Sequence, residues 1–403
     1  MKILHTSDWH LGKRLHQIEL TEDHRLFFDW LIQTIQKESV DAIIISGDIF
    51  DLANPSSEAR KLYYETLVKL AGMKCTIIIT GGNHDSPSVL NAPKEVLKAL
   101  NIHVIGGLSK NMEDMIIPLS KNNKEIAIAA IPFLRDSDIR QAVQGESHQD
   151  RIEAIKAGIT RTFNNAAETC KQLYPNIPAI AMGHLFTHGV STSESERDIQ
   201  IGNLAGYEIS KFNDYFSYYA LGHIHRPQTP GNSNKLIYSG SPVPLSFSEK
   251  SDLKRVVVYD FSEATPQYKS IEVPENRKLI KITGTYSEVH EKLMNIQPEK
   301  TQLPALVEVE MIEEKEDPQK VTALEELISK FNHPNAIVVK HRIHFRDTIS
   351  GANELYDTSK QIEELNPGEV FEKKMERSAL DENQKTKLRE AFHEILENIY
   401  QSE

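Results

Sequence analysis

The sequence of 403 residues has few cysteines, no long apolar run and no excess of basic residues. Its two cysteines, Cys75 and Cys170, cannot build a disulfide framework, and neither belongs to a CxxC pair that would indicate structural zinc. The first residues run directly into Ser7 and Asp8, so a secretory signal peptide is not expected. No apolar run is long enough for a transmembrane helix. We therefore expect a cytoplasmic protein without a membrane segment.

The formal net charge is −12, from 46 Lys and Arg against 58 Asp and Glu. A nucleic-acid-binding protein usually needs excess Lys and Arg to contact phosphates, so this total speaks against DNA as a partner. The acidity is uneven, however, because residues 346–403 hold 14 acidic and only 8 basic residues, half of the net charge. The total is therefore a weak argument against a DNA substrate. It predicts instead that this chain alone binds DNA weakly.

No nucleotide-binding motif of the form G-x-x-x-x-G-K-[ST] occurs, so any use of ATP must depend on a partner. Hydrophobic residues make up 39% and charged residues 26%, ordinary values for a globular protein. The length favours two or three domains.

Short apolar segments alternate with amphipathic stretches over the first two thirds of the chain. The pattern predicts strands at residues 3–6, 42–46, 75–80, 126–131 and 179–182 and helices at 22–37, 57–71, 89–99 and 149–173. Further strands, without helices between them, are predicted at 218–221, 235–238, 255–259 and 267–273. Buried strands separated by helices indicate a layered α/β domain, with mixed sheets flanked by helices, over residues 1–274.

Residues 275–345 predict a second, small α/β module of strand, helix, strand, helix and strand. Residues 346–403 are predicted to form a linker and a helical tail, with helices at 367–375 and 382–400. In the second of these helices, apolar residues from Leu388 to Ile399 form one continuous stripe. Such a stripe needs a surface that covers it, either on this chain or on a partner.

Polar side chains follow five of the predicted strands at the point where each strand ends. These are Asp8 and His10, Asp48 and Asp51, Asn83 and His84, His184, and His223 and His225. Since ligands in open α/β sheets bind outside the carboxyl ends of the strands, we expect these groups to face one edge. Carboxylate, amide and imidazole donors suit Mn²⁺, Fe²⁺ or Zn²⁺. A carboxylate shared by two cations holds them about 3.5–4 Å apart, the spacing used for phosphoryl transfer.

The motif series D-x-H, GD-x₂-D, GNHD, GH and GH-x-H resembles that of the calcineurin-like metallophosphoesterases. Within that superfamily the segments ILHTSDWHLG, GDIFD, IPFLR, ALGHIH and SGSPVPLSF are similar to those of bacterial DNA double-strand-break repair nucleases. The resemblance implies a calcineurin-like fold for residues 1–274. It also implies that residues 275–345 form a capping domain and that residues 346–403 bind an ATPase partner.

The resemblance also implies roles for individual residues. One metal ion would be held by Asp8, His10 and His225, and a second by Asn83, His184 and His223, with Asp48 bridging. His84 would stabilise the transition state and assist the leaving group, with Asp51 orienting and charging it. Manganese is the expected metal. Candidate phosphate contacts are Arg135, Arg197 and Arg226, although a salt bridge or an exposed charge explains each equally well.

The expected function is that of the catalytic subunit of an ATP-dependent DNA nuclease. The resemblance implies double-strand exonuclease and single-strand or hairpin endonuclease activity in DNA repair, replication and recombination. It implies a coiled-coil ATPase partner and a homodimer within a heterotetramer. Two alternatives remain open: another metallophosphoesterase acting on nucleotides or small phosphodiesters, and a non-catalytic scaffold. The complete ligand set and His84 argue against the scaffold, but the ligand set does not distinguish the two enzymes.

Overall fold

The computed structural model describes residues 1–140, 147–197, 199, 206–261, 267–298 and 301–346 together with residues 371, 375, 385, 388 and 392. The chain divides into two compact units, one formed by residues 1–281, 297–308 and 332–340 and the other by residues 282–296, 309–331 and 341–403. The predicted tail helices lie outside the described residues apart from those single positions. The predicted domain boundaries at residues 274 and 345 stay predictions.

The strands of the described residues are β1 (Lys2–Thr6), β2 (Arg14–Leu15), β3 (Ile18–Glu19), β4 (Ala42–Ser46), β5 (Thr76–Thr80), β6 (Ile102–Ile105), β7 (Ile116–Lys121), β8 (Lys124–Ala130), β9 (Ala179–His184), β10 (Tyr219–Gly222), β11 (Leu236–Tyr238), β12 (Arg255–Asp260), β13 (Gln267–Glu272), β14 (Leu279–Gly284), β15 (Ala305–Glu313) and β16 (Ala336–Phe345). The helices are α1 (Thr21–Glu38), α2 (Ser57–Ala71), α3 (Pro87–Asn91), α4 (Lys94–Lys98), α5 (Asp136–Ile139), α6 (His148–Leu173), α7 (Tyr286–Met294) and α8 (Pro318–Lys330).

The helix predicted over residues 89–99 is wrong as a single element. Two short helices, α3 and α4, replace it, and Pro93 caps the second of them. Proline has no backbone N–H and clashes with the preceding turn, so it interrupts a helix that the apolar spacing alone would continue. The other predicted helices and strands within residues 1–345 are confirmed, within a few residues at their ends.

Two mixed sheets form the centre of the first unit. One has six strands in the order β13-β12-β1-β4-β5-β6, in which β1, β4, β5 and β6 are parallel and β12 is antiparallel to both of its neighbours, β1 and β13. The other has five strands in the order β11-β10-β9-β8-β7, parallel except for β7. The expected architecture of mixed sheets flanked by helices is confirmed.

The two sheets face each other, and a helical layer covers each outer face. β4 reads Ala-Ile-Ile-Ile-Ser and is buried throughout, so successive side chains enter different cores. Ile44 belongs to the apolar cluster that includes the five-stranded sheet and α6. Its neighbours Ile43 and Ile45 belong to the cluster that includes α1 and α2. The order of layers is therefore helix, sheet, sheet, helix.

Strands β14, β15 and β16 form a separate three-stranded sheet in that order. In the second unit, α7 begins with a capping box in which Thr285 and Glu288 each bond the backbone N–H of the other. Val289 and Leu293, one turn apart, are its buried residues. No helix among the described residues has the length and apolar character needed to cross a membrane.

A buried ion pair fastens the segment after β13 to α1 within the first unit. Arg277 donates from Nε to Asp23 Oδ1 (2.8 Å) and from Nη2 to Asp23 Oδ2 (3.0 Å). Its Nη1 donates to the carbonyl oxygen of Pro304 at 2.9 Å. Both charged side chains are at least nine-tenths buried. Removing one member would leave the other charged and unpaired in the interior.

We predict that Arg277→Met lowers the free energy of unfolding by about 3–5 kcal/mol, because Asp23 would keep a buried charge without its partner. Urea unfolding followed by circular dichroism measures the change. The matched control is Lys69→Met, which removes the pair between Lys69 and Asp29 on the exposed surface and should cost about 1 kcal/mol or less. Equal effects of the two substitutions would contradict the prediction.

Candidate metal centre

The predicted ligands lie together where strand ends of the two large sheets meet. Asp8 follows β1, and Asp48 follows β4, its parallel neighbour. In the other sheet His184 ends β9, and His223 follows β10, its parallel neighbour. His184 Nδ1 donates to the carbonyl oxygen of Ser46, the last residue of β4, at 3.0 Å. This hydrogen bond connects the two strand ends across the interface between the sheets.

A first cluster joins Asp8, His10, Asp48 and His225, whose ligand atoms all lie within 4.8 Å of one another. His10 Nε2 is 3.1 Å from His225 Nε2 and 3.4 Å from Asp48 Oδ2. On the other side of its ring, His10 Nδ1 donates to Asp51 Oδ1 at 3.3 Å. A neutral imidazole carries one proton, so the Nε2 of His10 presents a lone pair to the cluster.

A second cluster contains Asn83, His184 and His223. Asn83 Oδ1 lies 2.9 Å from His184 Nε2 and 3.2 Å from His223 Nδ1. Asp48 Oδ2 is 3.4 Å from His184 Nε2, the same distance that separates it from His10 Nε2. One oxygen of the Asp48 carboxylate therefore lies near an imidazole of each cluster, and its predicted bridging role stays a prediction.

The donors of both clusters fit divalent cations. The Nδ1 of His184 is already occupied by a carbonyl acceptor, so its Nε2 lone pair, Asn83 Oδ1 and Asp48 Oδ2 converge as acceptors. His223 Nε2 is buried and has no hydrogen-bond partner among the described residues. Acceptors that face one another repel unless a cation or a proton lies between them. Oxygen and imidazole donors without a thiolate are the ligands of Mn²⁺, Fe²⁺ and Zn²⁺.

The charges of the site also favour a cation. Burial raises the pKa of Asp8 to about 6. Burial acts in the same direction on Asp48, yet the imidazoles of His184 and His10 hold the pKa of Asp48 well below its usual range. Burial opposes protonation of His184, but the Asp48 and Asp8 carboxylates raise its pKa to about 9, so Nε2 holds a proton that a bound cation would displace. Asp48 is therefore ionised in a buried position, where it attracts positive charge.

Several ligands lie in strained backbone. Asp8, His10, Asp48 and His223 have φ values of 53°, 47°, 50° and 95°, a region that non-glycine residues seldom occupy. Such conformations cost on the order of 1–3 kcal/mol each and concentrate at functional sites. Gly47, with φ of 84°, precedes Asp48, and a Cβ there would collide with the ring of a ligand histidine. The tight turn predicted from the glycine is thus required by the packing of the site.

Asp85 ties together the two loops that carry Asp48 and Asn83. Its carboxylate accepts hydrogen bonds from the backbone N–H groups of Ile49 (3.0 Å), Phe50 (2.9 Å) and Gly82 (2.9 Å). The side chain is 1% exposed. The residue belongs to the GNHD motif, but the sequence alone did not indicate this role.

His84 lies beside the clusters, and Asp51 contacts it through its backbone carbonyl. The Nδ1 of His84 donates to this carbonyl at 2.8 Å, whereas the Asp51 carboxylate is 4.0 Å away. That carboxylate bonds His10 and Lys13. Burial lowers the pKa of His84, and the Asp48 and Asp51 carboxylates oppose this effect. The predicted role of Asp51, to orient and charge His84, stays a prediction.

The three predicted arginine contacts differ in their surroundings. Arg226 Nη2 donates to the carbonyl of Ser248 (2.8 Å), and its Nε lies 3.4 Å from Asp252 Oδ2. Arg135 Nη2 donates to the carbonyl of Asp85 at 3.1 Å. Arg197 is exposed, and its charge lowers the pKa of His84. Of the three, Arg197 combines exposure with an electrostatic effect on the site.

Sequence reasoning missed a group of residues behind the ligands: Lys13, Ser195, Glu196, Glu249 and Lys254. Each contacts a ligand or a ligand's partner through hydrogen bonds. Four of them lie in loops that carry no metal-binding motif, so local spacing gave no signal. Lys13 belongs to the segment after Asp8 and His10, where its position beside Asp51 was not apparent.

The site and the fold are those of a calcineurin-like phosphoesterase: the sequence model of the family described as Calcineurin-like phosphoesterase matches residues 1–227. The SbcD component of the nuclease SbcCD from Escherichia coli K12 is 31% identical over 405 residues, which cover 99% of this chain and 98% of that protein. The chain belongs to the family of these SbcD proteins. It is accordingly a metal-dependent phosphodiester hydrolase.

Two further relatives match the larger part of the chain. The SbcD protein of Rhodobacter capsulatus is 36% identical over 262 residues, 62% of this chain and 64% of that protein. The SbcD protein of Bacillus subtilis is 31% identical over 263 residues, 64% of this chain and 66% of that protein.

We predict that Mn²⁺ raises the thermal unfolding temperature of this chain and that Asp48→Asn largely abolishes the rise. A ligand that binds only the folded state stabilises it by about 2.7 kcal/mol at a hundredfold excess over its dissociation constant. The amide would remove the anionic oxygen shared by both clusters. Scanning calorimetry with and without Mn²⁺ measures the shift. Asp29→Asn, on the exposed surface, is the control and should keep it. An undiminished shift in Asp48→Asn would contradict the bridging position.

Proposed function

We propose that this chain is the catalytic subunit of a metal-dependent DNA nuclease that works with an ATPase partner. The observation that carries the proposal is the position of Asp48 Oδ2, 3.4 Å from an imidazole of each cluster. Two cations that share a carboxylate suit in-line displacement at phosphorus. The relative matched over nearly its full length is named as a component of a nuclease, which favours DNA over a small phosphoester.

The proposed ligands are those of the two clusters. One cation would be held by Asp8, His10 and His225, the other by Asn83, His184 and His223, with Asp48 contacting both. We propose Mn²⁺, which suits mixed oxygen and imidazole donors. When bound, the cations supply an acidified water as nucleophile and neutralise the charge that develops on the phosphoryl oxygens.

The side chains around the clusters orient the reacting groups. Asp51 holds the ring of His10 through Nδ1, so its Nε2 faces the first cluster. His84 is anchored twice, by its backbone N–H to Asp48 Oδ1 (2.9 Å) and by its Nδ1 to the Asp51 carbonyl. Its Nε2 is then the ring nitrogen that can contact the phosphodiester. Because Nδ1 already carries a proton, a proton on Nε2 makes the ring an imidazolium, which the Asp48 and Asp51 carboxylates favour and burial opposes. This proton would pass to the leaving ribose oxygen.

Basic residues near the mouth of the site are proposed to contact phosphate. Arg197 is exposed and acts electrostatically on His84. Lys13 lies beside the site, 3.1 Å from Asp51 Oδ1, with its side chain 20% exposed. Two basic groups are few for duplex DNA, and the net charge of −12 adds no general attraction. Much of the affinity for DNA would therefore come from the partner.

The proposed partner is an SbcC-type coiled-coil ATPase, since this chain has no nucleotide-binding motif of its own. We propose that two copies of each chain form a heterotetramer in which this chain is a homodimer, and that residues 346–403 bind the ATPase. The proposed activities are double-strand exonuclease and single-strand or hairpin endonuclease. They would serve DNA repair, replication and recombination in the cytoplasm.

We predict that the purified chain with Mn²⁺ cleaves linear duplex DNA, and that adding the SbcC-type ATPase and ATP increases the rate. A chromogenic phosphodiester, bis(p-nitrophenyl) phosphate, is assayed in parallel. Asp48→Asn should abolish both activities, and Arg151→Ala, which removes an exposed pair with Asp136, should leave both unchanged. Hydrolysis of the small ester but never of DNA, even with the ATPase, would favour the alternative of an enzyme for nucleotides or small phosphodiesters.

A second prediction concerns His84. His84→Ala should reduce DNA cleavage by about 10²–10⁴-fold, the typical contribution of a positioned proton donor. The variant should keep the metal content of the wild type, because neither ring nitrogen of His84 is among the proposed ligand atoms. Inductively coupled plasma mass spectrometry of the purified variant measures the metal. A loss of metal together with activity would instead make His84 a ligand.

A further inference from the structure

His225, a member of the first cluster, is held from behind at three separate points. Its backbone N–H donates to Glu196 Oε1 at 2.9 Å, and its backbone carbonyl accepts from Lys254 Nζ at 3.0 Å. Its ring atom Nδ1 lies 2.5 Å from the hydroxyl oxygen of Ser195. Backbone and ring are thus all fixed, and His225 Nε2 is directed at His10 Nε2.

The hydroxyl of Ser195 bonds in turn to Glu249 Oε1 at 2.5 Å. The Glu249 side chain is completely buried, and Lys254 Nζ donates to its Oε2 at 2.6 Å. The backbone N–H of Leu245 also donates to Oε2 (3.2 Å), and the hydroxyl of Ser246 donates to Oε1 (3.1 Å). With an ammonium group and these donors around it, Glu249 is an ionised carboxylate, which accepts hydrogen bonds and donates none.

The hydrogen-bond partners of two other ligand histidines differ in kind from the partner of His225. His10 Nδ1 faces a carboxylate and His184 Nδ1 faces a backbone carbonyl, and both of these can only accept. The partner of His225 is a hydroxyl, which can donate or accept. A serine alone would thus allow His225 either tautomer, including the one with the proton on Nε2, which cannot bind a cation.

Glu249 removes that ambiguity. The Ser195 oxygen lies 2.5 Å from the Glu249 carboxylate and 2.7 Å from the Ser193 hydroxyl. Because the carboxylate is nearer, charged and can only accept, the single proton of the Ser195 hydroxyl is directed to Glu249. The Ser195 oxygen must then accept from His225, which places the imidazole proton on Nδ1 and leaves the Nε2 lone pair facing the first cluster. Glu249 thus determines the direction of the Ser195 hydrogen bond, and the Ser195 hydrogen bond determines the tautomer of His225.

We propose that Ser195 and Glu249 are positioning residues that hold His225 in the tautomer able to bind the cation of the first cluster. The inference rests on the metal centre proposed above. Partners of this kind orient metal-binding histidines, and their loss typically lowers metal affinity about 10–100-fold. The effect should be confined to the first cluster, because neither residue has a hydrogen bond to Asn83, His184 or His223 among the described residues.

The test is isothermal titration calorimetry of the full chain with Mn²⁺ alone, on the wild type and on Ser195→Ala. We expect two sites in the wild type, and in Ser195→Ala one site of unchanged affinity and one weakened about 10–100-fold. Ser195→Thr, which keeps a hydroxyl, should restore wild-type binding, an outcome that a merely structural role for the serine would not produce. The absorption spectrum of Co²⁺-loaded protein should change in the alanine variant and return in the threonine variant.

A matched control lies three residues before Glu249. Ser246 also donates to Glu249 Oε1, at 3.1 Å, but among the described residues it has no hydrogen bond to Ser195 or to a ligand. Ser246→Ala should therefore leave both Mn²⁺ sites unchanged. Glu249→Gln should weaken the first site as Ser195→Ala does, and if that variant fails to fold, the alanine and threonine pair decides the question.

The titrations distinguish a failure of this inference from a failure of the proposed metal centre. Wild-type affinity at both sites in Ser195→Ala, or equal weakening of both sites, would overturn the inference while leaving the metal centre intact. A wild type that binds no Mn²⁺ at all would overturn the proposed metal centre and the inference with it.

Discussion

One carboxylate oxygen, Asp48 Oδ2, lies at the same distance from imidazoles of both clusters, and much of the structure serves to keep it there. Asp48 follows β4, a fully buried strand paired in parallel with a strand on either side. Asp85 holds the loop that carries it through two backbone amides. Gly47 supplies the turn that brings Asp48 against a ligand ring. A charge in so buried a place persists only because positive or hydrogen-bonding groups surround it.

The second feature of the site is the consistent direction of its hydrogen bonds. Three of the four proposed ligand imidazoles, His10, His184 and His225, present one nitrogen to a cluster and give the other to a group outside it. For His10 and His184 that group can only accept. For His225 a hydroxyl and a carboxylate act in series. Which imidazole nitrogens can bind a cation therefore depends on where the imidazole protons lie as well as on distances. Residues outside the proposed ligand set determine where those protons lie.

The part of the site that could be predicted from the sequence is the part governed by local rules. Apolar runs place the strands, and polar residues at their carboxyl ends fall on one edge, so Asp8, Asp48 and His184 were identifiable together. Side-chain hydrogen bonds between distant loops follow no such periodicity. Glu249 meets Ser195 across 54 residues of sequence, and a serine and a glutamate in polar loops resemble any solvated surface. The contact between Lys13 and Asp51 likewise becomes visible only in three dimensions.

The distinction between local sequence patterns and contacts of long sequence separation applies to the fold as well. Alternation of apolar and polar residues predicted the layered arrangement, while Pro93 divided a helix that apolar spacing favoured. Packing of one strand into two cores, as in β4, makes its sequence uniformly apolar and easy to recognise.

The antiparallel pairing of β1 with β12 has a consequence for how the protein is made. β1 can pair with β4 early, but Lys2 pairs with Asp260, so the first strand gains its second neighbour in the six-stranded sheet only after more than 250 residues have been synthesised. Contacts of such long sequence separation close late and slowly during folding. Lys254, the cation that neutralises Glu249, directly precedes that closing strand. A nascent chain can thus carry every proposed metal ligand and still lack Lys254, the cation that contacts Glu249.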